Sequence, residues 1–426
     1  MLINTHALSA FVSTLLASAQ LNASQGTYTV NPDGSADFTT IQAAIDAVSP
    51  QSIIFVAPGI YTSTGDEVIK LESSSVDIIS LKGPERTFIH GEGLRRAFTI
   101  TDPKQALTIQ GFTFTECAAP WEDINGNGNV DSWEFFGGAM RLDNANAKAN
   151  TPLIKECVFT NNSAEYGGAI YSSGTRYRVE NCEFTGNGSP TCLGGAIYND
   201  NCSPYIIYSN FTENSGDFGG AILNWNQSEL LTLFSTFINN TAGIDGGGVY
   251  NSESGASYLS CEFTGNHAQG DGGGAMNAAA TSVEDNPRFT TCTFTENTCG
   301  QAGGAMHNFS CSPYMRNAEI QNNTASQGGG IYSWNSSTPD IVQSTICGNV
   351  GGQVEGNYEA SKQTIIADIC PVLCPADFND DGVVDGNDVG LFFVEWGCSE
   401  PNPCPADLNQ DGTVNGNDLG LLFVEW

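Results

Sequence analysis

Three stretches carry oxygen side chains at a spacing that suits a hard cation. Asp377, Asn379, Asp381, Asp385 and Asp388 fall at positions 1, 3, 5, 9 and 12 of a loop, with Gly382 at position 6 and the Val383 carbonyl at position 7. Asp407, Asn409, Asp411, Asn415 and Asp418 repeat the pattern 30 residues later, with Gly412 and the Thr413 carbonyl between them. Asp123, Asn125, Asn127, Asp131 and Glu134, with Gly128 and the Asn129 carbonyl, make a third copy. Calcium takes oxygen ligands in flexible geometry, and the small residue at position 6 lets the backbone wrap it. The bland alternative is a solvated Asn/Asp/Gly turn, but composition alone rarely duplicates a full ligand order. Ca2+ is therefore the expected cofactor. Asn at positions 3 and 5 of the third loop lowers its ligand charge, and with it the affinity.

The spacing is that of an EF-hand loop. Asp rather than Glu at position 12 makes residues 374–426 resemble type I dockerin modules. That resemblance implies one short helix after each loop, over 389–396 and 419–426, and a cohesin-like partner. Cys374 before the first loop and Cys398 after its helix are expected in a disulfide. The second copy has Cys404 but stops at Trp426, where a match to Gly397 and Cys398 would follow. A truncated module would leave Cys404 to pair with Cys370 or to stay free.

Candidates for catalysis are weaker. His90-Gly91 leads to Arg95, Arg96 and Phe98 in a G-x-G-x-x-R-x-F turn, which reads as a structural turn. Arg176, Arg178 and Arg288 are the basic residues of the middle of the chain, and with Asp200 or Asp217 they could line a groove. Exposed salt partners are the simpler reading. His267 and His307 stand near Gly-rich turns, and turn or surface roles are expected for them.

These candidates hang on a repeat. A phenylalanine precedes an asparagine by three residues, and Gly-Gly with a small apolar residue follows, as in 159–171. The lead apolar residues are Phe114, Phe159, Phe184, Phe211, Phe237, Phe263, Phe294, Ile320 and Ile346. Their gaps are 45, 25, 27, 26, 26, 31, 26 and 26 residues, and the loop at 123–134 accounts for the longest. Such a period suits one coil of a parallel β-helix, in which neighbours bury what a single coil cannot. The phenylalanines would form an inward ladder. Each asparagine would sit at a turn, bonding backbone above and below. The glycines would permit positive φ or close backbone approach.

Before the repeat, Ile41, Ala44, Ile45 and Val48 share one helical face, and 52–56 is a β-branched run stopped by Pro58-Gly59. The D-G-S-x-D-F-x-T-I-Q-x-A-I-D-A-V stretch and the later P-G-x-Y resemble the N-terminal cap of pectin-lyase-like proteins. A cap covers the open end of a stacked sheet. Residues 76–81, 87–89, 97–100 and 107–114 read as short strands. The repeat itself, over 112–349, resembles that of the chlamydial polymorphic outer-membrane proteins. Their C-terminal membrane barrel has no counterpart in this sequence. The resemblance implies architecture and says little of activity. Pectate lyases, polygalacturonases and pectin methylesterases share the pectin-lyase-like fold, but none of their catalytic sets is complete in this chain.

Fourteen cysteines point to an oxidising compartment. Cys157/Cys182 and Cys261/Cys292 would lie on adjacent coils, as bridges or as a reduced ladder. Cys192 with Cys202, and Cys299 with Cys311, flank equivalent Gly-Gly turns and are expected as local disulfides.

The formal charge is −33, from 14 Lys+Arg against 47 Asp+Glu. Such a chain repels nucleic acid and anionic membranes. Residues 7–19 resemble a secretory apolar region, too short to span a membrane and without a basic flank, ending in an Ala17-Ser18-Ala19 cleavage site. No later stretch is long and apolar enough for a transmembrane segment. The expected order is a signal peptide over 1–19, cap and first coils over 26–110, repeats over 111–369 and a calcium module over 374–426. The expected fold is all-β, a right-handed parallel β-helix with a cap helix and a small α-helical module. A secreted or cell-surface binding, adhesion or structural protein, directed at polysaccharide or a surface partner, fits these readings. A polysaccharide lyase or glycoside hydrolase bearing a dockerin-like module is the alternative.

Overall fold

The computed structural model describes residues 26–72, 75–102, 106–119, 135–143, 151–370, 386–394, 396, 406, 408 and 413–425. The chain divides into two compact units, residues 1–366 and 367–426. The expected signal peptide, the loop at 123–134, the first C-terminal loop as far as Asp385, and Cys374 and Cys398 lie outside the described residues.

The larger unit is a parallel β-solenoid of about 12 turns. Each coil feeds short strands into three sheets, which hold 13, 12 and 11 strands among the described residues. A fourth sheet of four strands lines one corner. The lead residues stand in register, Phe114 beside Phe159, Phe159 beside Phe184, and so on to Ile320 beside Ile346. Their rings stack at 4.8, 4.6, 4.7, 5.0, 4.7 and 4.5 Å between centroids. That is the strand spacing of a sheet, so the backbone sets the ring separation. The seven phenylalanines are fully buried.

The asparagines make a second ladder. The Nδ2 groups of Asn162, Asn187, Asn214, Asn240, Asn266 and Asn297 each donate to the next coil's Oδ1 at 2.9–3.0 Å. The same nitrogen donates to the carbonyl of the preceding coil's phenylalanine, as Asn240 does to Phe211 at 3.0 Å. The next coil's Oδ1 also accepts a backbone N–H, so each turn is satisfied by its neighbours. An inner amide ladder, Asn199, Asn224, Asn251, Asn277 and Asn308, runs through the core at 2.8–2.9 Å. The paired glycines are needed for two reasons. Gly194 has φ +70, and a Cβ on Gly195 would meet the Gly220 carbonyl at 2.0 Å.

The helix Ile41–Ala47 is capped by Thr40, whose hydroxyl accepts from the Ala43 N–H at 3.1 Å. It buries Ile41, Ala44 and Ile45 in the solenoid core.

The cysteine expectations need correction. Cys192, Cys202, Cys299 and Cys311 are free, buried thiols. The strand Ile197–Asp200 separates Cys192 from Cys202. Its four residues span roughly 13 Å, beyond disulfide reach. Met306–Phe309 separates Cys299 from Cys311 in the same way. Cys157, Cys182, Cys261 and Cys292 form the reduced alternative. They occupy a column shared with serines: the Cys157 N–H meets Cys182 Sγ at 3.5 Å, and the Cys182 N–H meets Ser209 Oγ at 3.2 Å. The thiol serves there as a serine-like acceptor. Cys347 and Cys370 are the described residues in disulfides.

In the smaller unit, helices Gly386–Val394 and Gly416–Glu425 follow the two loops. Phe392, Ala406, Val414 and Leu422 form its buried core.

Candidate functional site

Of the expected calcium ligands, the described ones with placed side chains are Thr413, Asn415 and Asp418. Asp418 is fully buried at the start of the second helix. Its Oδ2 accepts from the Asn415 N–H at 2.9 Å, and Asn415 Oδ1 accepts from the Asn417 N–H at 2.9 Å. These bonds satisfy backbone N–H groups at the start of the helix Gly416–Glu425. Among the described residues, no group of three or more His, Cys, Asp or Glu is placed to hold a metal.

The structure gathers the arginines differently from the groove reading. Between residues 156 and 361 the sequence holds no lysine and four arginines: Arg176, Arg178, Arg288 and Arg316. All four lie on or beside the outer face of the thirteen-stranded sheet. Arg178 begins the strand Arg178–Glu180, Arg288 begins Arg288–Thr290, and Arg316 ends Tyr314–Arg316. The middle residues of these strands point into the core, so the end residues point out. Arg178 pairs with Glu180, and Arg176 lies over the Tyr205 ring at 5.7 Å. Arg288 and Arg316 are exposed and make no ion pair among the described residues. Asp200 and Asp217 form no ion pair with any of the four; Asp200 accepts from Asn226 Nδ2 at 3.0 Å.

Between the arginines the outer face is apolar. Tyr205, Ile207, Leu231, Leu233 and Leu259 line three successive strands in register. At the edge, Tyr208 and Phe234 stack at 5.1 Å and are 53% and 38% exposed. They belong to a turn column whose members, Glu156, Asn181, Tyr208, Phe234, Ser260, Thr291, Asn317 and Gln343, all have φ between 49 and 53. That left-handed region favours Asn and Gly and penalises bulky side chains. Sequence reasoning missed this face. The signal was present in the scarcity of arginine, but only the coil register places the four together.

A second cluster lies at a corner of the eleven-stranded sheet. Asp245 Oδ1 accepts from the Asp271 N–H at 2.8 Å, and Asp271 Oδ1 from the Ala302 N–H at 2.9 Å. Asp271 Oδ2 is 3.1 Å from His307 Nδ1. Burial pushes the Asp245 carboxyl above its ordinary value. Burial also opposes ionisation of Asp271, but the His307 imidazole and the Ala302 amide outweigh it and hold that group low. Phe218 meets Tyr250 edge-on at 5.3 Å, and His307 meets Tyr332 at 5.1 Å. His307, 6% exposed, thus has a specific partner, where a turn or surface role was expected.

The remaining candidates are structural. His90 Nδ1 accepts from the Glu92 N–H at 3.0 Å, which closes its turn. Arg96 is fully buried, pairs with Glu67 at 3.2 Å and donates to the Phe136 and Gly137 carbonyls at 3.0 Å. Arg95 pairs with Glu92. His267 is exposed and shares a hydrogen bond with Thr298 at 2.8 Å.

The sequence pattern of the Chlamydia polymorphic membrane protein (Chlamydia_PMP) repeat matches residues 156–173 and 181–200. No curated protein sequence matches the chain. Among solved structures, similar ones include the catalytic domain of a GH87 alpha-1,3-glucanase, at 8% identity and TM-score 0.43 over 84% of this chain and 70% of that one. PfbA, a surface adhesin of Streptococcus pneumoniae, is 15% identical with TM-score 0.37 over 77% and 88%. A polygalacturonase from Erwinia carotovora ssp. carotovora is 12% identical with TM-score 0.37 over 83% and 97%. These proteins differ widely in what they do, so the likeness carries no statement about activity.

Proposed function

We propose that the protein is a secreted or cell-surface binding solenoid. It presents an outer face to polysaccharide, and loops at 123–134, 377–388 and 407–418 hold calcium. The observation behind this reading is the Tyr208–Phe234 pair. The two rings stack across adjacent coils at 5.1 Å, as the core phenylalanines do, but outside the core, where both remain exposed. A left-handed backbone costs a bulky residue about 1–2 kcal/mol, and both side chains are exposed to water. Asn181 and Asn317 are the residues of the column best suited to that backbone, while Glu156, Ser260, Thr291 and Gln343 share its cost with the two rings. Side chains that cost the fold are retained for contact with something outside it. The test replaces both, Tyr208→Asn with Phe234→Asn. The variant should melt at the same temperature or higher, while its retention on immobilised polysaccharides falls at least about tenfold, roughly 1.4 kcal/mol. Retention equal to wild type would sink the reading.

A second reading, cleavage of polysaccharide, draws on Asp245, Asp271 and His307. Two carboxyl groups biased in opposite directions suit a proton donor beside an ionised partner. It predicts release of reducing or unsaturated ends from a polysaccharide panel, abolished in Asp271→Asn. A panel that stays intact removes it.

A further inference from the structure

We infer that the outer face of the thirteen-stranded sheet seats a second copy of this chain, the two solenoids lying side by side about a two-fold axis parallel to the coil axis. This goes beyond the binding reading. The Tyr208–Phe234 pair stands at the rim of the contact, and a dimer carries it twice.

Patterning is the first argument. On a solvated sheet face the outward positions are polar and the inward ones apolar. The strand Leu231–Leu233 is inverted. Its two leucines point outward, while the inward Thr232 is fully buried and its Oγ1 has no hydrogen-bond partner. Tyr205, Ile207 and Leu259 continue the apolar outside on the neighbouring strands. The twelve-stranded sheet keeps the ordinary pattern on the same coils, with Asn210, Thr212, Thr236, Glu262 and Thr264 outward. A chain with a formal charge of −33 brings two copies together only where acid is sparse. The strands Tyr205–Ile207, Leu231–Leu233 and Ser257–Leu259 carry no charge at all.

The charges around this apolar centre select the partner and its orientation, because a two-fold contact has to be complementary to itself. An axis along the coils sets the first outward residue of each strand against the third of the same strand in the partner. Arg178 then meets the partner's Glu180, and the reverse, so the internal Arg178–Glu180 pairs join into a ring of alternating charge. Arg316 meets the ring of the partner's Tyr314, one strand step from the partner's Asp340. Lys155 faces the partner's Leu153, Arg288 the partner's Thr290, and Glu359 the partner's Ser361, so no like charges are opposed. An axis along the strands, centred on Leu231–Leu233, would instead oppose Arg178 to Arg288 and Lys155 to Arg316. Shape allows the contact. Successive core rings from Phe159 to Phe294 lie within 2–6° of parallel, so the coils add little twist and the face stays flush along its length. From Leu153 to Asp340 it runs seven strand steps, about 34 Å, and with one flanking residue on each side it is roughly 17 Å wide. Two copies bury about 1,200 Å² between them, the lower end for a specific dimer.

The experiment is sedimentation equilibrium of the full-length protein, with and without chelator. Wild type should show twice the monomer mass in both. Leu231→Glu should raise the dissociation constant at least about tenfold with its circular dichroism unchanged. Arg178→Glu and Glu180→Arg supply a second arm. Each alone sets four like charges together and should be monomeric, and an equimolar mixture of the two should restore the dimer. An axis along the strands gives no such rescue, because residue 178 there faces residue 288. A monomeric wild type, a Leu231→Glu variant that dimerises as before, or a mixture that stays monomeric would overturn the inference. A dimer that falls apart with chelator but ignores these substitutions would place the contact in the smaller unit and also overturn it. Polysaccharide retention by the Tyr208→Asn, Phe234→Asn variant tests the binding reading alone, so the two fail separately.

Discussion

At the scale of single residues, identical types have unlike roles. Asp245 and Asp271 occupy equivalent places on adjacent coils, and each accepts the backbone N–H of the coil above. His307 touches the second and not the first at ion-pair distance, so one carboxyl is held low and the other is pushed up. The signs of their pH dependence are therefore opposite. Asp271 contributes stability that is present above the ordinary carboxyl pKa and lost as pH falls through its lowered value. Asp245 contributes stability at acid pH that is lost as pH rises through its raised value. Asp245→Asn keeps the acceptor and removes the charge. It should raise the melting temperature at neutral pH and leave it unchanged well below the ordinary carboxyl value. A pH series of thermal melts checks this, and an equal gain at every pH would contradict it. The cysteines make a similar point. Burial pushes the Cys192 thiol up to about 12 and Cys202 up to about 11, so native protein should resist thiol reagents at mildly alkaline pH. Cys182→Ser should change stability by less than about 1 kcal/mol, because Ser209 and Ser235 already serve that column. Chemical denaturation of the variant measures it.

At the scale of the element, the unit of stability is the column rather than the strand. Most strands are three or four residues long, and none buries a core alone. Asn240 illustrates the coupling. It donates to Asn266 Oδ1 and to the Phe211 carbonyl, and its own Oδ1 accepts from Asn214. Asn240→Ala leaves the Asn214 N–H groups without their acceptor. The expected cost is about 1–3 kcal/mol, read as a shift in the denaturation midpoint. A variant within error of wild type would show that water replaces the ladder. The three-residue step from Phe to Asn and the Gly pair were legible in the sequence because the stack imposes the same residue on every coil. The inner ladder through Asn199, Asn224 and Asn251 was not, since a buried amide inside a strand contradicts ordinary patterning. It survives because each Nδ2 finds an Oδ1 in the next coil.

At the scale of the whole molecule, the two compact units rest on different physics. The solenoid has a continuous apolar core from Val30 to Ile346, whereas the smaller unit buries Phe392, Ala406, Val414 and Leu422. A unit as short as residues 367–426 rarely holds together on an apolar core alone, and in the proposed reading bound calcium adds to it. Chelator should therefore lower the melting temperature of residues 367–426 while the solenoid transition barely moves. Calorimetry on the full chain with and without chelator resolves the two transitions. Equal loss in both would contradict separate stabilisation. No helix among the described residues is long and apolar enough to cross a membrane.

The sequence by itself determined the coil. Phe159, Asn162 and Gly167 recur at fixed offsets, and only stacking of like on like makes that recurrence useful. It also marked the oxygen-rich loops, because their spacing is local in the chain. It could not settle the cysteines: Cys192 and Cys202 are near in sequence, but a strand holds them apart. Nor could it assemble Arg178, Arg288 and Arg316, or Asp245, Asp271 and His307. Those groups come from different coils, and the register of the stack, fixed by backbone hydrogen bonds between neighbours, decides which residues share a face.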